Sequence, residues 1–237
     1  MKMLHRPAAE RGTFDFGWLD TAHSFSFGDY RDPRFMGFRA LRVINEDRLA
    51  AGGGFPTHGH ADMEIVTYIL DGELEHKDSL GTGAIIRPGD AQRMSAGTGI
   101  RHSEFNASAD KPVHLLQIWL IPSEAGIAPG YEQKTLPVAA LGETRLDRIA
   151  APEGGDHAVA IRSDAVISRA LLAPGGTLAV PVTRGHAWLQ VARGALTVTA
   201  DGHAQALAQG DGLAIVETDG ITLASDAAAE LLVFDLG

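Results

Sequence analysis

Residues 66–78, VTYILDGELEHKD, place two short strand-like runs on either side of Asp71-Gly72. Side chains that alternate with a period of two mark half-buried strands. An Asp-Gly step between two such runs is the strongest short-range cue for a hairpin. The pattern returns 122 residues later in WLQVARGALTVTA (188–200), where Gly194 takes the place of Gly72. IIRPGDAQRMSAGTGI (85–100) then matches ALAQGDGLAIVETDGI (206–221), with Gly89-Asp90 falling on Gly210-Asp211. Last, HLLQIWLIP (114–122) matches ELLVFDLG (230–237). A repeat of this length, with order and spacing kept, indicates a duplicated domain rather than a solenoid of short units.

Other stretches carry the same signal. ALRVINEDRLAAG (40–52), EIVTYILDGELEHKDS (64–79), GAIIRPGDAQRMSAG (83–97) and VHLLQIWLI (113–121) read as strands, with Arg87-Pro88-Gly89-Asp90 as a further turn. The 28 glycines are scattered between these runs rather than gathered in a linker, as an all-β chain with many tight turns requires. Helical periodicity is scarce. The segment 123–145 carries Pro and Gly and reads as a connection with room for one helical turn. The expectation is an all-β protein of two small antiparallel barrels packed together, with few short helices. Its parts are residues 1–122, a connection over 123–155, and residues 156–237.

Composition narrows the function. With 45% hydrophobic and 21% charged residues, the 237-residue chain can bury a core of ordinary size. A formal net charge of −10 repels polyanions, which disfavours direct binding of nucleic acid. The absence of cysteine removes disulfides, thiolate metal sites and Cys nucleophiles together. The opening MKMLHRPAAERGTFDF lacks the apolar core of a signal peptide, and no run approaches the roughly 18 apolar residues of a membrane helix. A soluble cytoplasmic protein is expected, with no membrane partner, and two barrels packing on each other are compatible with a monomer.

The chemistry gathers in THGHADME (57–64) and RHSEFN (101–106). Residues i and i+2 of a strand point to one face, so His58 and His60 aim together, as do His102 and Glu104. An antiparallel barrel can lay these strands side by side, bringing three imidazoles and one carboxylate to one point. Nitrogen and oxygen donors without thiolate suit a divalent first-row metal: Fe, Mn, Ni, Cu or Zn. Four protein ligands on an octahedral ion leave two positions open, whereas a structural site is closed. The repeat provides an internal control. It sets Val180 and Val182 opposite His58 and His60, and Ile221 and Leu223 opposite His102 and Glu104. The fold therefore does not itself require polar residues at these four positions.

HGHADMEIVTYILDGELEHKDSLG, MSAGTGIRHSEFN and LLQIWLIP, following GWLDTAHSFSFGDYRDP, resemble the bacterial pirin-like proteins, which are bicupins. The resemblance covers nearly the whole chain and is weaker beyond about residue 135. It implies two cupin barrels, a metal (usually iron) in the N-terminal one, and a C-terminal barrel without ligands. Its metal ligands would be His58, His60, His102 and Glu104. Glu64, the carboxylate of the general cupin motif, gives way to Glu104. The family implies quercetin 2,3-dioxygenase activity for some bacterial members and transcriptional coregulation for the human protein.

The expected function is accordingly a metal-dependent dioxygenase acting on a flavonol-like chelating phenol with O2. The 3-hydroxyl and 4-carbonyl oxygens would chelate Fe(II), with Zn, Mn, Ni or Cu also fitting the donors. Glu104 would serve as ligand, proton acceptor or both. The alternative is a metal- or redox-responsive binding protein that acts through a protein partner without turnover. Lesser expectations concern neighbouring residues. His23 lies at the pocket mouth, while Phe25 and Phe27 are core. Asn106 and Gln117 orient the histidines, with a barrel-exterior position for Gln117 equally open. Glu64 begins a strand, His76 and His114 are surface histidines, and His157, His186 and His203 have no role.

Overall fold

The structure is a computed structural model and describes residues 2–138 and 142–237. Its contacts divide the chain into two compact units. The first barrel comprises Gly12–Leu136 with Pro152–Asp164; the second comprises Met1–Arg11, Pro137–Ala151 and Ala165–Gly237. These units are not contiguous in sequence, unlike the segments 1–122, 123–155 and 156–237. The reason at the N-terminus is a strand pairing: Lys2–Arg6 lies antiparallel to Gly212–Val216, with Met3 opposite Ile215.

In the first barrel a sheet runs in the order Gly130–Thr135, Asp90–Ser95, Glu64–Asp71, Val113–Leu120, Leu41–Leu49, Leu19–His23, Gly12–Asp15. The second sheet of this barrel runs Gly54–His60, Ile100–Asn106, Leu74–Asp78, Gly83–Ile86. The second barrel repeats that four-stranded order as Thr177–Pro181, Gly220–Ala224, Ala195–Ala200, His203–Ala208. Its larger sheet includes Lys2–Arg6, Gly212–Val216, His186–Arg193, Ala229–Leu236, Ala165–Leu172 and Arg145–Ala151 in that order. The two-cupin fold expected from the sequence is thus present. Among the described residues the one helical piece is a 3-10 turn at Ala8–Glu10, and no helix is long and apolar enough to cross a membrane. The segment expected to carry a helical turn instead supplies the edge strand Gly130–Thr135.

Asp71-Gly72 is not a hairpin. Glu64–Asp71 pairs with Val113–Leu120 and Asp90–Ser95, whereas Leu74–Asp78 pairs with Ile100–Asn106 and Gly83–Ile86. The chain therefore turns a corner from one sheet to the other, which a period-two pattern cannot distinguish from a hairpin. Gly72 has φ +82°, and a Cβ there would lie 2.7 Å from the Pro112 carbonyl oxygen, so only glycine fits. Gly194 repeats the corner with φ +76° and 2.5 Å to the Ala228 oxygen. The return corners match too. Asp90 N–H donates to the Arg87 carbonyl, and its carboxylate accepts from Arg87 N–H at 3.0 Å. Asp211 makes the same pair of bonds to Ala208.

The interiors differ. The second barrel holds one broad apolar cluster that includes Val180, Val182, Leu189, Val198, Ile221 and Leu223. The first has smaller clusters, one around Leu49, Ile69, Leu74 and Leu115 and another around Ile65, Met94 and Ile100. Buried polar residues Thr21, Asn45, Asp47, His102 and Glu104 occupy other parts of its interior.

Candidate metal centre

Gly54–His60 and Ile100–Asn106 pair antiparallel, with His102 opposite His58 and Ile100 opposite His60. The register shifts between His102 and Glu104, where Glu104 comes to face Phe55. Pro56 sits in this irregular stretch of an edge strand, where a missing N–H is tolerated. Its carbonyl accepts the Nδ1–H of His58 at 2.8 Å, leaving Nε2 with its lone pair for a ligand. Second-barrel register agrees with the internal alignment, since Val180 faces Ile221 just as His58 faces His102.

Ring centroids of His58, His60 and His102 lie 4.5 to 5.0 Å apart, and one donor atom from each falls within 4.8 Å of the others. Glu104 does not join this triad at that limit; it groups with His102 and His76. Its Oε2 accepts from Gln117 Nε2 at 2.7 Å, and Gln117 Oε1 in turn accepts from Trp119 Nε1 at 3.2 Å. Gln117 therefore orients the carboxylate rather than a histidine, and it faces inward.

Electrostatics favour the neutral form of His60 and His102. Burial, with the neighbouring His58, lowers His60 to about 4. Burial and the charges of His58, His60 and His76 lower His102 to about 3. Neutral imidazole is the form that binds a metal. Burial raises Glu104 to about 7, opposed by the Gln117 hydrogen bond and reinforced by Asp47. The residues fit a metal on a structural criterion as well. His102 is 2% exposed, yet neither ring nitrogen has a hydrogen-bond partner. Such an orphan is costly unless something binds it, and a cation held by three imidazoles would satisfy one nitrogen.

His58 and His60 line a cavity of about 460 Å³, a volume within the range of small-molecule sites. Phe14, Phe16, Phe27, Phe55 and Trp119 line it, along with Thr21, His23, Asn45, Asp47, Glu104 and Gln117. Trp119 meets His60 edge-on at 4.8 Å. Asp47 accepts the Thr21 hydroxyl proton, and burial raises its carboxyl to about 7, with the Thr21 bond opposing and Glu46 and Asp20 adding. The sequence carried a signal for this wall: Asn45 and Asp47 fall in phase with Leu41, Val43 and Leu49 on one otherwise apolar face of their strand.

Several expectations need correction. His76 is fully buried rather than on the surface. Asn106 binds backbone, donating to the Leu49, Ala50 and Lys111 carbonyls and accepting from Ser108 N–H, and so orients no histidine. Phe25 is core, but Phe27 lines the cavity against Trp119 at 5.3 Å. His23 also lines it. Glu64 begins its strand fully buried and accepts from Arg162 N–H at 2.9 Å, apart from the histidine triad. His114 is half-buried and bonded to Glu46 at 2.9 Å. His157 belongs to the first barrel and bonds the Thr135 carbonyl.

Comparison with known proteins bears on both barrels. The family described as Pirin matches residues 5–120, and the quercetinase C-terminal cupin domain matches residues 148–236. A protein of Escherichia coli (strain K12) named quercetin 2,3-dioxygenase is 44% identical over 98% of this chain and 97% of its own length. A protein of Mycobacterium tuberculosis (strain ATCC 25618 / H37Rv) named putative quercetin 2,3-dioxygenase is 40% identical over 98% of this chain and 93% of its own. The crystal structure of the bacterial pirin YhhW from Escherichia coli in complex with nickel(II) superposes with a TM-score of 0.90 at 42% identity, over 99% of each chain. Identity at this level over nearly the full length goes beyond a shared barrel architecture: the chain belongs to the pirin family.

Proposed function

We propose that the chain is a metal-dependent dioxygenase that cleaves a flavonol-like chelating phenol with O2, using Fe(II) held by His58, His60, His102 and Glu104. The observation that carries this reading is a triad of imidazoles, two of which, His58 and His60, line an aromatic-walled cavity together with Glu104. The names of the Escherichia coli and Mycobacterium tuberculosis relatives support the substrate class, and the nickel complex of YhhW supports a metal.

A divalent metal at this site supplies a Lewis acid that lowers the pKa of a coordinated hydroxyl, together with a place for O2. The chain's own residues do the rest. Phe14, Phe27, Phe55 and Trp119 offer apolar faces against which a flat aromatic substrate can stack. Gln117 engages Glu104 Oε2, leaving Oε1 to take the proton of the substrate hydroxyl. Burial raises the Glu104 carboxyl in the metal-free site, and a cation held beside it would favour the carboxylate, the form that accepts a proton.

The test combines metal analysis of purified protein with oxygen uptake on quercetin and simpler catechols. The expected result is about one metal per chain and O2 consumption that requires it. Bound metal with no uptake, after reloading separately with iron, manganese, nickel and copper, would overturn the catalytic reading in favour of a binding protein.

A further inference from the structure

His76 and Asp78 have no part in the chemistry proposed above, yet both side chains are completely buried beside the histidine triad. Leu74–Asp78 runs antiparallel to Ile100–Asn106, which places His76 opposite Glu104 and Asp78 opposite His102. His76 Nε2 lies 3.0 Å from Asp78 Oδ2, while Asp78 Oδ1 accepts from the backbone N–H groups of Leu80 and Thr82 at 2.9 and 3.1 Å. Asp78 acts here purely as an acceptor, so Nε2 bears the proton of a neutral His76. Nδ1 then carries a lone pair, and it is buried without a hydrogen-bond partner. The ring is held from another side by Tyr131 at 4.8 Å.

His102 completes the picture. Its ring lies 5.3 Å from that of His76, and donor atoms of His76, His102 and Glu104 fall within 4.8 Å of one another. An imidazole that gives one nitrogen to a metal keeps an N–H on the other, and that N–H is normally handed to a carboxylate or carbonyl. Among the described residues no such acceptor is bonded to His102. The nearby orphan is the His76 lone pair.

We infer that His76 is a positioning residue for the metal centre: its Nδ1 accepts the N–H that His102 retains on binding metal, linking Asp78, His76 and His102 in series. Neither nitrogen is bonded in this structure, so the link forms as His102 takes up the metal. The link fixes the His102 tautomer and raises its basicity toward the ion. The inference rests on the metal reading of His58, His60 and His102, and its test separates the two.

The full-length protein is stripped with a chelator and titrated with Co(II) against a chromophoric competitor, with the visible Co(II) spectrum recorded. His76→Leu fills the space without an acceptor, His76→Gln supplies an acceptor oxygen, and His102→Ala serves as the reference. His76→Leu is expected to weaken Co(II) binding by about 10–100-fold and to shift the bands, with His76→Gln recovering most of both. Melting of the metal-free variants checks that they are folded, and His76→Gln carries the test if His76→Leu is not. Wild-type affinity and spectrum in His76→Leu would overturn the inference. So would complete loss in both His76 variants, as in His102→Ala, because His76 would then be a ligand itself. A wild-type protein that binds no Co(II) would overturn the metal reading and the inference with it.

Discussion

The two barrels share turns, strand order and cross-strand register, but their interiors have opposite character. Where the first sets His58 against His102, the second sets Val180 against Ile221. Where the first buries Glu104, the second buries Leu223, fully enclosed between Leu178 and Val198. Each buried aliphatic of this size contributes on the order of 2 kcal/mol, so the second barrel shows what the scaffold does when free to maximise packing. The first gives up that packing for three clustered imidazoles, a buried carboxyl and a cavity. The comparison shows that its polar cluster is not a requirement of the fold.

The sharpest way to break the comparison is to make the first barrel like the second. His102→Ile should abolish metal binding, taking the content from about one ion per chain to near none, and oxygen uptake should go with it. Stability should move the other way. The metal-free variant no longer buries two unsatisfied ring nitrogens, so it should melt at or above the metal-free parent. Metal analysis and calorimetry on the same preparation check both halves. A variant that loses metal because it unfolds would show that His102 is structural.

The reverse exchange should cost stability only. Leu223→Glu places a carboxylate, or a carboxyl with a raised pKa, in a cluster with no partner prepared for it, costing about 3–5 kcal/mol. Denaturant unfolding of the metal-loaded protein measures this. A loss below about 1 kcal/mol would mean the second barrel still tolerates the old chemistry.

A smaller effect should appear with pH in the metal-free first barrel. Asp47 has a carboxyl raised from 3.8 to about 7 by burial. Between those values the folded state binds more protons than the unfolded state, so this group's contribution falls as pH rises and levels off above about 7. His60 and His102, lowered to about 4 and about 3, contribute the opposite slope up to their ordinary value of 6.5. Glu104, raised from 4.5 to about 7, falls in the same sense as Asp47, so Asp47→Asn should remove one of two falling components and leave stability rising more steeply with pH from 4.5 to 6.5, as read from melting temperatures. An unchanged pH profile would show that Asp47 is not held protonated in that range.

His58, His60 and His102 were legible because alternation fixes which side chains share a face, and because the duplicate supplied apolar counterparts at the same positions. Gln117 was only half legible: a polar residue in an apolar strand signals burial, but not the partner, which here is Glu104. His76 was misread for a related reason. Its strand alternates like any surface strand, and its inward neighbours come from a strand distant in sequence, where it sits opposite Glu104. The Asp71-Gly72 corner failed as a hairpin because the local signals for the two are the same.

By itself the sequence determined the all-β class, the duplication, the positions of the repeated turn glycines and which barrel carries the histidines, since these follow from periodicity, backbone sterics and comparison of the two halves. Only the tertiary structure decided which strands pair across the barrel, and with them the aromatic cavity, the Asp47 wall and the buried His76–Asp78 pair. Those features depend on contacts between residues far apart in the chain, and the choice of partner strand is a property of the closed barrel rather than of any one segment.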